Sequence, residues 1–228
     1  MTVALQDSTI ACVFDAYGTL LDVASAAMRC ADDIGPEATR LSQIWRTKQL
    51  EYSWLRSLMG EHVDFWQITG DALDYAMETV GLENATLRTR LMELYHALDA
   101  FAESQDVLKV LKDAGLQTAI LSNGSPDMLQ GAIDHARIGD LLDAVYSIEQ
   151  VGIYKPDPRV YQMAVDGLDV SAENITFLSS NAWDVAGAAN FGFSVIWVNR
   201  YGQAPERLPG KPLHQITTLD GLPALLGL

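Results

Sequence analysis

The sequence predicts an α/β fold: a doubly wound parallel sheet of Rossmann-like type with a helical segment inserted after the first strand. Three observations predict it. Short apolar runs rich in β-branched and aromatic residues recur along the chain, those from the second onward alternate with helical patterns, and a long stretch between the first two has no strand pattern at all. Strands in a parallel sheet are buried on both faces by crossover helices, so they read as continuous apolar runs.

The first strand is read at 10–15, "IACVFD", which ends on a charge, Asp15, shortly before the break at Gly18. An ion taken out of water is costly unless paired or used, so Asp15 is either a capped turn residue or a reactive group. From about 22 to 97 the periodicity is helical. Leu41, Ile44, Trp45, Tyr52, Leu55 and Met59 form one apolar stripe, expected to face the insertion's own core, and Leu87, Leu91, Leu94 and Leu98 form another. Arg46, Leu50 and Trp54, four residues apart, share a second face that either covers something or is simply solvated. Further strands are read at 117–121, 144–148, 175–179 and 194–198, with helical patterns at Val107, Leu108, Leu111 and Ala114 and from Ala182 to Phe191.

At 228 residues the chain can bury a substantial core, and with 49% apolar and 20% charged residues it is no disordered segment. Its longest apolar runs fall far short of the roughly 18 residues of a membrane span. The N-terminus carries no signal-peptide pattern, so a soluble, cytoplasmic protein is expected. A formal charge of −15 argues against a nucleic-acid partner and would repel a small anionic substrate unless local cations offset it. Cys12 and Cys30 lack metal-ligand spacing and read as reduced core thiols. The histidines, His62, His96, His135 and His214, fall at no predicted strand carboxyl end, which argues against a histidine-based hydrolase.

Ligands of such sheets bind outside the carboxyl ends of the strands. The first strand ends at Asp15. The second ends in Ser122 and Asn123 ahead of Ser125-Pro126, a helix-opening pair that leaves backbone N–H groups facing the crevice. After the third comes Lys155, before a proline-fixed turn, with Tyr161 on the next helical turn; after the fourth come Ser179, Asn181, Trp183 and Asp184. Each alone reads as a cap or turn. Together they converge on one crevice.

The segments "DAYGTL", "WRTKQLEYSWLR", "LSNGSP", "YKPDPRVY" and "SSNAWD", spread from residue 10 to about 200, resemble the haloacid dehalogenase superfamily, in particular its L-2-haloacid dehalogenase branch. Most of the superfamily are magnesium-dependent phosphatases with a second aspartate two positions beyond the nucleophile and paired acids in the fourth motif. Here Tyr17 replaces that aspartate and Ser179, Ser180 and Asn181 occupy the other stretch. A hard divalent cation needs several charged oxygen ligands, so no metal site and no cofactor are expected. Halide also leaves as a stable anion and, unlike an alkoxide, needs no general acid.

The resemblance implies a Rossmann-like catalytic core, 1–21 and 98–228, under a helical cap, 22–97. It implies hydrolytic dehalogenation of short L-2-haloalkanoic acids to D-2-hydroxy acids, with inversion, through an ester on Asp15. Lys155 would pair with Asp15; Ser122 and helix N-terminal amides would hold the substrate carboxylate; Arg46 and Asn123 would receive halide. Thr19 would orient Asp15, and Ser179 and Asn181 would steady Lys155 or the hydrolytic water. Asp184 would polarise that water or else pair permanently with Lys155. Tyr17, Leu50, Phe65 and Trp183 would wall the pocket, Tyr161 would belong to the binding set, and Thr47 would lie beside the pocket. A homodimer is expected through "WLRSLM". The alternative is a small-molecule phosphatase with an altered metal site.

Overall fold

The computed structural model describes residues 5–228. After a short helix α1 (Leu5–Ser8), strand β1 (Ala11–Phe14) is followed by helices α2 (Ser25–Arg29), α3 (Ala31–Ile34), α4 (Ala38–Met59), α5 (Phe65–Val80) and α6 (Ala85–His96). The alternating part then runs α7 (Ser104–Asp113), β2 (Gln117–Ser122), α8 (Pro126–Ala136), β3 (Ala144–Ser147), α9 (Pro158–Leu168), β4 (Ile175–Ser179), α10 (Ala182–Phe191) and β5 (Ser194–Val198). Strand β6 (His214–Ile216) and helix α11 (Leu222–Leu225) follow.

All six strands are parallel, in the order β3-β2-β1-β4-β5-β6. The order reverses at β1, between β2 and β4, and at such a switch point the loops diverge and leave a crevice at the carboxyl ends. Every residue of β1 and β4 is buried. Strand β6 escapes a sequence reading because its three residues, "HQI", form an edge strand with two exposed positions and no apolar run.

The helical insertion leaves and rejoins the sheet through a closed stem. Asp22 donates its backbone N–H to Asp99 (2.8 Å) and Phe101 donates to Leu20 (3.0 Å), so the outgoing and returning chains run side by side. Arg200, just past β5, ties both to the sheet: one guanidinium nitrogen donates to the Thr19 carbonyl (2.7 Å), another pairs with Glu103 (2.6 Å), and the plane stacks over Phe101. Helices α4 and α5 form the insertion's main packed pair, capped at α5 by Asp64, whose carboxylate accepts the Gln67 N–H at 2.7 Å.

The stripe expected on α4 is only partly buried. Leu41 and Trp45 face inward, but Leu55 and Met59 are exposed, and the buried row continues through Gln49 and Ser53 instead. Counting apolar residues alone misplaced the row, because its second half is polar and hydrogen-bonded. Thr47 is likewise exposed, turned about 100° from its neighbour Arg46 by the helical rise. Cys12 and Cys30 are free and buried, and burial pushes the Cys12 thiol up to about 12.

Candidate active site

Asp15 lies one residue past β1, its backbone N–H donating to the Leu178 carbonyl of β4 (2.9 Å), and it is 5% exposed. A carboxylate so deeply placed must be compensated. Lys155 Nζ meets Oδ1 at 3.2 Å; Asn181 Nδ2 and Thr19 Oγ1 donate to Oδ2 at 2.7 and 3.3 Å. Thr19 is itself fixed, since its hydroxyl accepts the Ser180 N–H at 2.8 Å.

Lys155 is buried between two carboxylates, with Asp184 Oδ2 at 2.9 Å and Asp15 on its other side, and its ammonium sits 5.0 Å over the Phe177 ring. Burial alone would lower its pKa. The Asp15 and Asp184 charges outweigh that cost and hold its pKa above the ordinary 10.5. Asp184 stands in the first turn of α10, where the helix dipole favours a carboxylate. Burial pushes its pKa up, the Asp15 charge adds to the rise, and Lys155 opposes it. Its second oxygen accepts from the Tyr161 hydroxyl at 2.8 Å. The backbone of Lys155 is anchored separately, its N–H donating to Asn123 Oδ1 at 3.1 Å.

Asn181 occupies the N-cap of α10 but makes no capping bond with its side chain. That side chain is spent across the crevice, donating to Asp15 and to the Tyr17 carbonyl (3.1 Å) while its Oδ1 accepts from Arg46 Nη2 at 3.2 Å. One amide therefore joins the sheet aspartate to the arginine of the inserted helices. Trp54, on the same face of α4 as Arg46, meets Trp183 edge-on at 5.3 Å, so this face covers the strand ends. Leu50, between them in sequence, is half-buried.

Tyr17 is 2% exposed, stacked on Tyr95 and tilted against Phe65, both at 5.8 Å. Its phenol pKa is pushed up, first by burial, and its hydroxyl has no hydrogen-bond partner. The position that resembles an acid's place thus forms an aromatic wall. Ser122 and Ser179 are buried with local partners: their hydroxyls accept the N–H groups of Gly124 and Asn181, each at 3.1 Å. Ser179 makes no hydrogen bond to Lys155, contrary to one of its two expected roles. Ser125, at the N-cap of α8, makes no side-chain capping bond.

Among the described residues no three His, Cys, Asp or Glu side chains cluster so as to hold a metal ion. None of the four histidines hydrogen-bonds to Asp15, Lys155 or Asp184; His62 pairs with Glu149 (2.9 Å) and His135 with Asp99 (3.1 Å). Sequence reasoning missed Gln49, which accepts from Arg46, and the Thr69 and Tyr95 side chains that bond to Gln49. The available signal was the spacing of three between Arg46 and Gln49 on one helix. The other two partners lie 20 and 46 positions from Gln49 and are silent in a local pattern.

An aspartate at the end of the first strand, ion-paired to a lysine shared with a second carboxylate beneath inserted helices, defines a haloacid dehalogenase-like hydrolase, and the family model of that description matches residues 11–192. The chain is 50% identical to (S)-2-haloacid dehalogenase 1 of Pseudomonas sp. (strain CBS-3) over 97% of this chain and 98% of the relative. A solved dehalogenase with an intermediate complex superposes with a TM-score of 0.95 at 48% identity, covering 97% of this chain and 98% of the other. The L-2-haloacid dehalogenase of Xanthobacter autotrophicus with chloropropionic acid covalently bound superposes at 0.90, with 37% identity over 96% of this chain and 98% of the other. The chain belongs to the haloacid dehalogenase-like hydrolases, in the branch of the (S)-2-haloacid dehalogenases. Among the described residues no helix is long and apolar enough to cross a membrane.

Proposed function

We propose that the protein hydrolyses short L-2-haloalkanoic acids to D-2-hydroxy acids without a metal or other cofactor, through an ester on Asp15. The observation that carries the reading is the asymmetry of the Asp15 carboxylate. Among the described residues Oδ2 accepts two hydrogen bonds, from Asn181 and Thr19, whereas Oδ1 accepts only from Lys155 and keeps a lone pair free. Oδ1 attacks the α-carbon in line, the carbon–halogen bond breaks with its electron pair on the halide, and the α-carbon inverts.

Oδ2 then becomes the carbonyl oxygen of the ester. When water adds to that carbonyl carbon, negative charge develops on Oδ2, where the Asn181 and Thr19 donors already point. Asp184 takes the water's proton, a role suited by its raised pKa and by the lysine that holds it beside Asp15. Cleavage of the acyl–oxygen bond, with the proton held by Asp184 passing to the departing alkoxide oxygen, releases the hydroxy acid and regenerates Asp15. Because bond formation and breakage at the α-carbon occur once, inversion is the stereochemical outcome.

Arg46 and Asn123 receive the halide, Ser122 with the amides opening α8 holds the substrate carboxylate, and Ser179 steadies Asn181 through its backbone. Tyr161 holds Asp184. Tyr17, Leu50, Phe65 and Trp183 wall the alkyl group, excluding the bulk water that would weaken each charge contact. Residues 22–97 act as the cap and 1–21 with 98–228 as the catalytic core, in a cytoplasmic homodimer. A phosphatase reading would need ligands for a divalent cation where Tyr17 and Asn181 stand, and neither side chain supplies an anionic oxygen there.

The test is release of chloride from L-2-chloropropionate in EDTA, with D-lactate as the organic product. Asp15→Asn should abolish it, and heavy-oxygen water in a single turnover should label the protein at Asp15. Phosphate release that requires magnesium, with no chloride, would replace this function by the phosphatase one.

A further inference from the structure

Gln49 is 1% exposed yet hydrogen-bonded at both ends of its amide. Its Oε1 accepts from Arg46 Nη1 at 2.7 Å and from the Tyr95 hydroxyl at 3.0 Å, while Nε2 donates to Thr69 Oγ1 at 2.7 Å. The Thr69 hydroxyl donates in turn to the Phe65 carbonyl (2.6 Å), and the Thr69 carbonyl accepts from Trp45 Nε1 (2.9 Å). Three helices, α4, α5 and α6, therefore meet at one buried amide, and the same amide grips the arginine that reaches Asn181.

Arg46 is partly buried, and an arginine withdrawn from water is ordinarily matched by a carboxylate. Here both side-chain carbonyls that Arg46 donates to, those of Gln49 and Asn181, are neutral, and Arg46 forms no ion pair among the described residues. A neutral acceptor fixes the guanidinium plane without cancelling its charge. A glutamate of the same shape could accept the same guanidinium bond and would neutralise the charge.

We propose that Gln49 is a positioning residue that holds Arg46 as an uncompensated cation, so that its positive field stays available to the departing halide. The inference rests on the halide-receiving role given to Arg46 above. Thr69 and Tyr95 set which way the Gln49 amide faces: Thr69 occupies its donor end and Tyr95 shares its acceptor end with Arg46. The network also reaches the pocket wall, because the Tyr95 ring stacks on Tyr17 and the Thr69 hydroxyl holds the Phe65 backbone.

The experiment compares Gln49→Glu, which keeps the shape and adds a charge, with Gln49→Met, which keeps the bulk and removes the acceptor. Chloride affinity is read by titrating tryptophan fluorescence, a readout independent of turnover, and the rate by chloride release from L-2-chloropropionate. The expected order is wild type above Gln49→Met above Gln49→Glu in both, with Gln49→Glu losing about 100-fold in kcat, the scale of one lost electrostatic contact. Gln49→Met is expected to lose about 10-fold or less, as for a loosened group. A merely structural Gln49 would make the more polar, isosteric Gln49→Glu the milder change, and that order overturns the inference, as does wild-type chloride affinity in Gln49→Glu. If Gln49→Glu does not fold, unchanged chloride affinity and rate in Gln49→Met overturn it equally. A wild-type protein that binds chloride but releases none from the haloacid would count against the proposed reaction and leave the Gln49 comparison to be decided by affinity.

Discussion

Asp15, Lys155 and Asp184 form a buried row in which one ammonium serves two carboxylates, at 3.2 and 2.9 Å. Removing the cation leaves two unmatched charges in low dielectric, so Lys155→Met should cost about 3–5 kcal/mol of stability near neutral pH, measured by urea unfolding. The pKa of Lys155 is raised on folding, so its stabilisation is complete below 10.5 and disappears as pH climbs through the still higher folded value. The stability gap between wild type and Lys155→Met should therefore hold from neutral pH to 10.5 and close as pH rises beyond it. For Asp184 the expected signature is kinetic. Asp184→Asn should still alkylate Asp15, giving a burst of about one chloride per site followed by arrest, with the ester seen in the intact mass. Steady turnover without a burst would move the water-activating role elsewhere. The residues of this row were legible in the sequence because each lies in the segment that follows the carboxyl end of a strand, where ligands of such sheets bind and polarity is informative. Gln49 was not, since a polar residue on a long helix ordinarily faces water and nothing local distinguishes the one that does not.

At the scale of elements, the site depends on how closely α10 approaches the turn before α9. A Cβ added at Gly187 would lie 2.6 Å from both Pro156 Cβ and the Tyr161 hydroxyl, so only glycine allows the two helices to meet there. Gly187→Ala should push the Lys155-Pro156 turn and Tyr161 away from Asp184, costing about 1–3 kcal/mol as overpacking does. The accompanying loss of turnover should exceed what the fraction unfolded explains, checked by pairing thermal melts with chloride release at a temperature where the variant is folded. The alternation of apolar runs and helical periods made β1 to β5 and their helices readable, whereas β6 gave no run to read. The α4 stripe failed for a related reason: periodicity counts apolar side chains, but burial follows the face, and a face can carry Gln49 and Ser53 when their polar atoms are satisfied.

For the molecule as a whole, the exposed apolar end of α4 bears on assembly. Leu55, Leu58 and Met59 are 51%, 84% and 65% exposed on consecutive turns. Clustered exposed apolar side chains are a usual mark of an interface. Light scattering should give twice the chain mass of 24.9 kDa, and Leu58→Glu should shift it to one chain mass while leaving the fold intact. A monomeric wild type would remove the dimer from the proposed function. The global charge of −15 was legible at once, but the way the site tolerates it was not. The local balance depends on which few of the cations point inward, and that is decided by tertiary contacts between residues far apart in the chain, 140 positions for Lys155 and Asp15.

The closed stem at Leu20–Asp22 and Asp99–Phe101 has a consequence for how such a chain can diversify. Its two limbs are hydrogen-bonded to each other before either enters a helix, and Arg200 fastens both to the strand layer. The distance the sheet must span is thus set at the root, whatever is spliced in above it. Changes in the length of the inserted segment can therefore be absorbed above the root without altering where its two limbs meet the sheet.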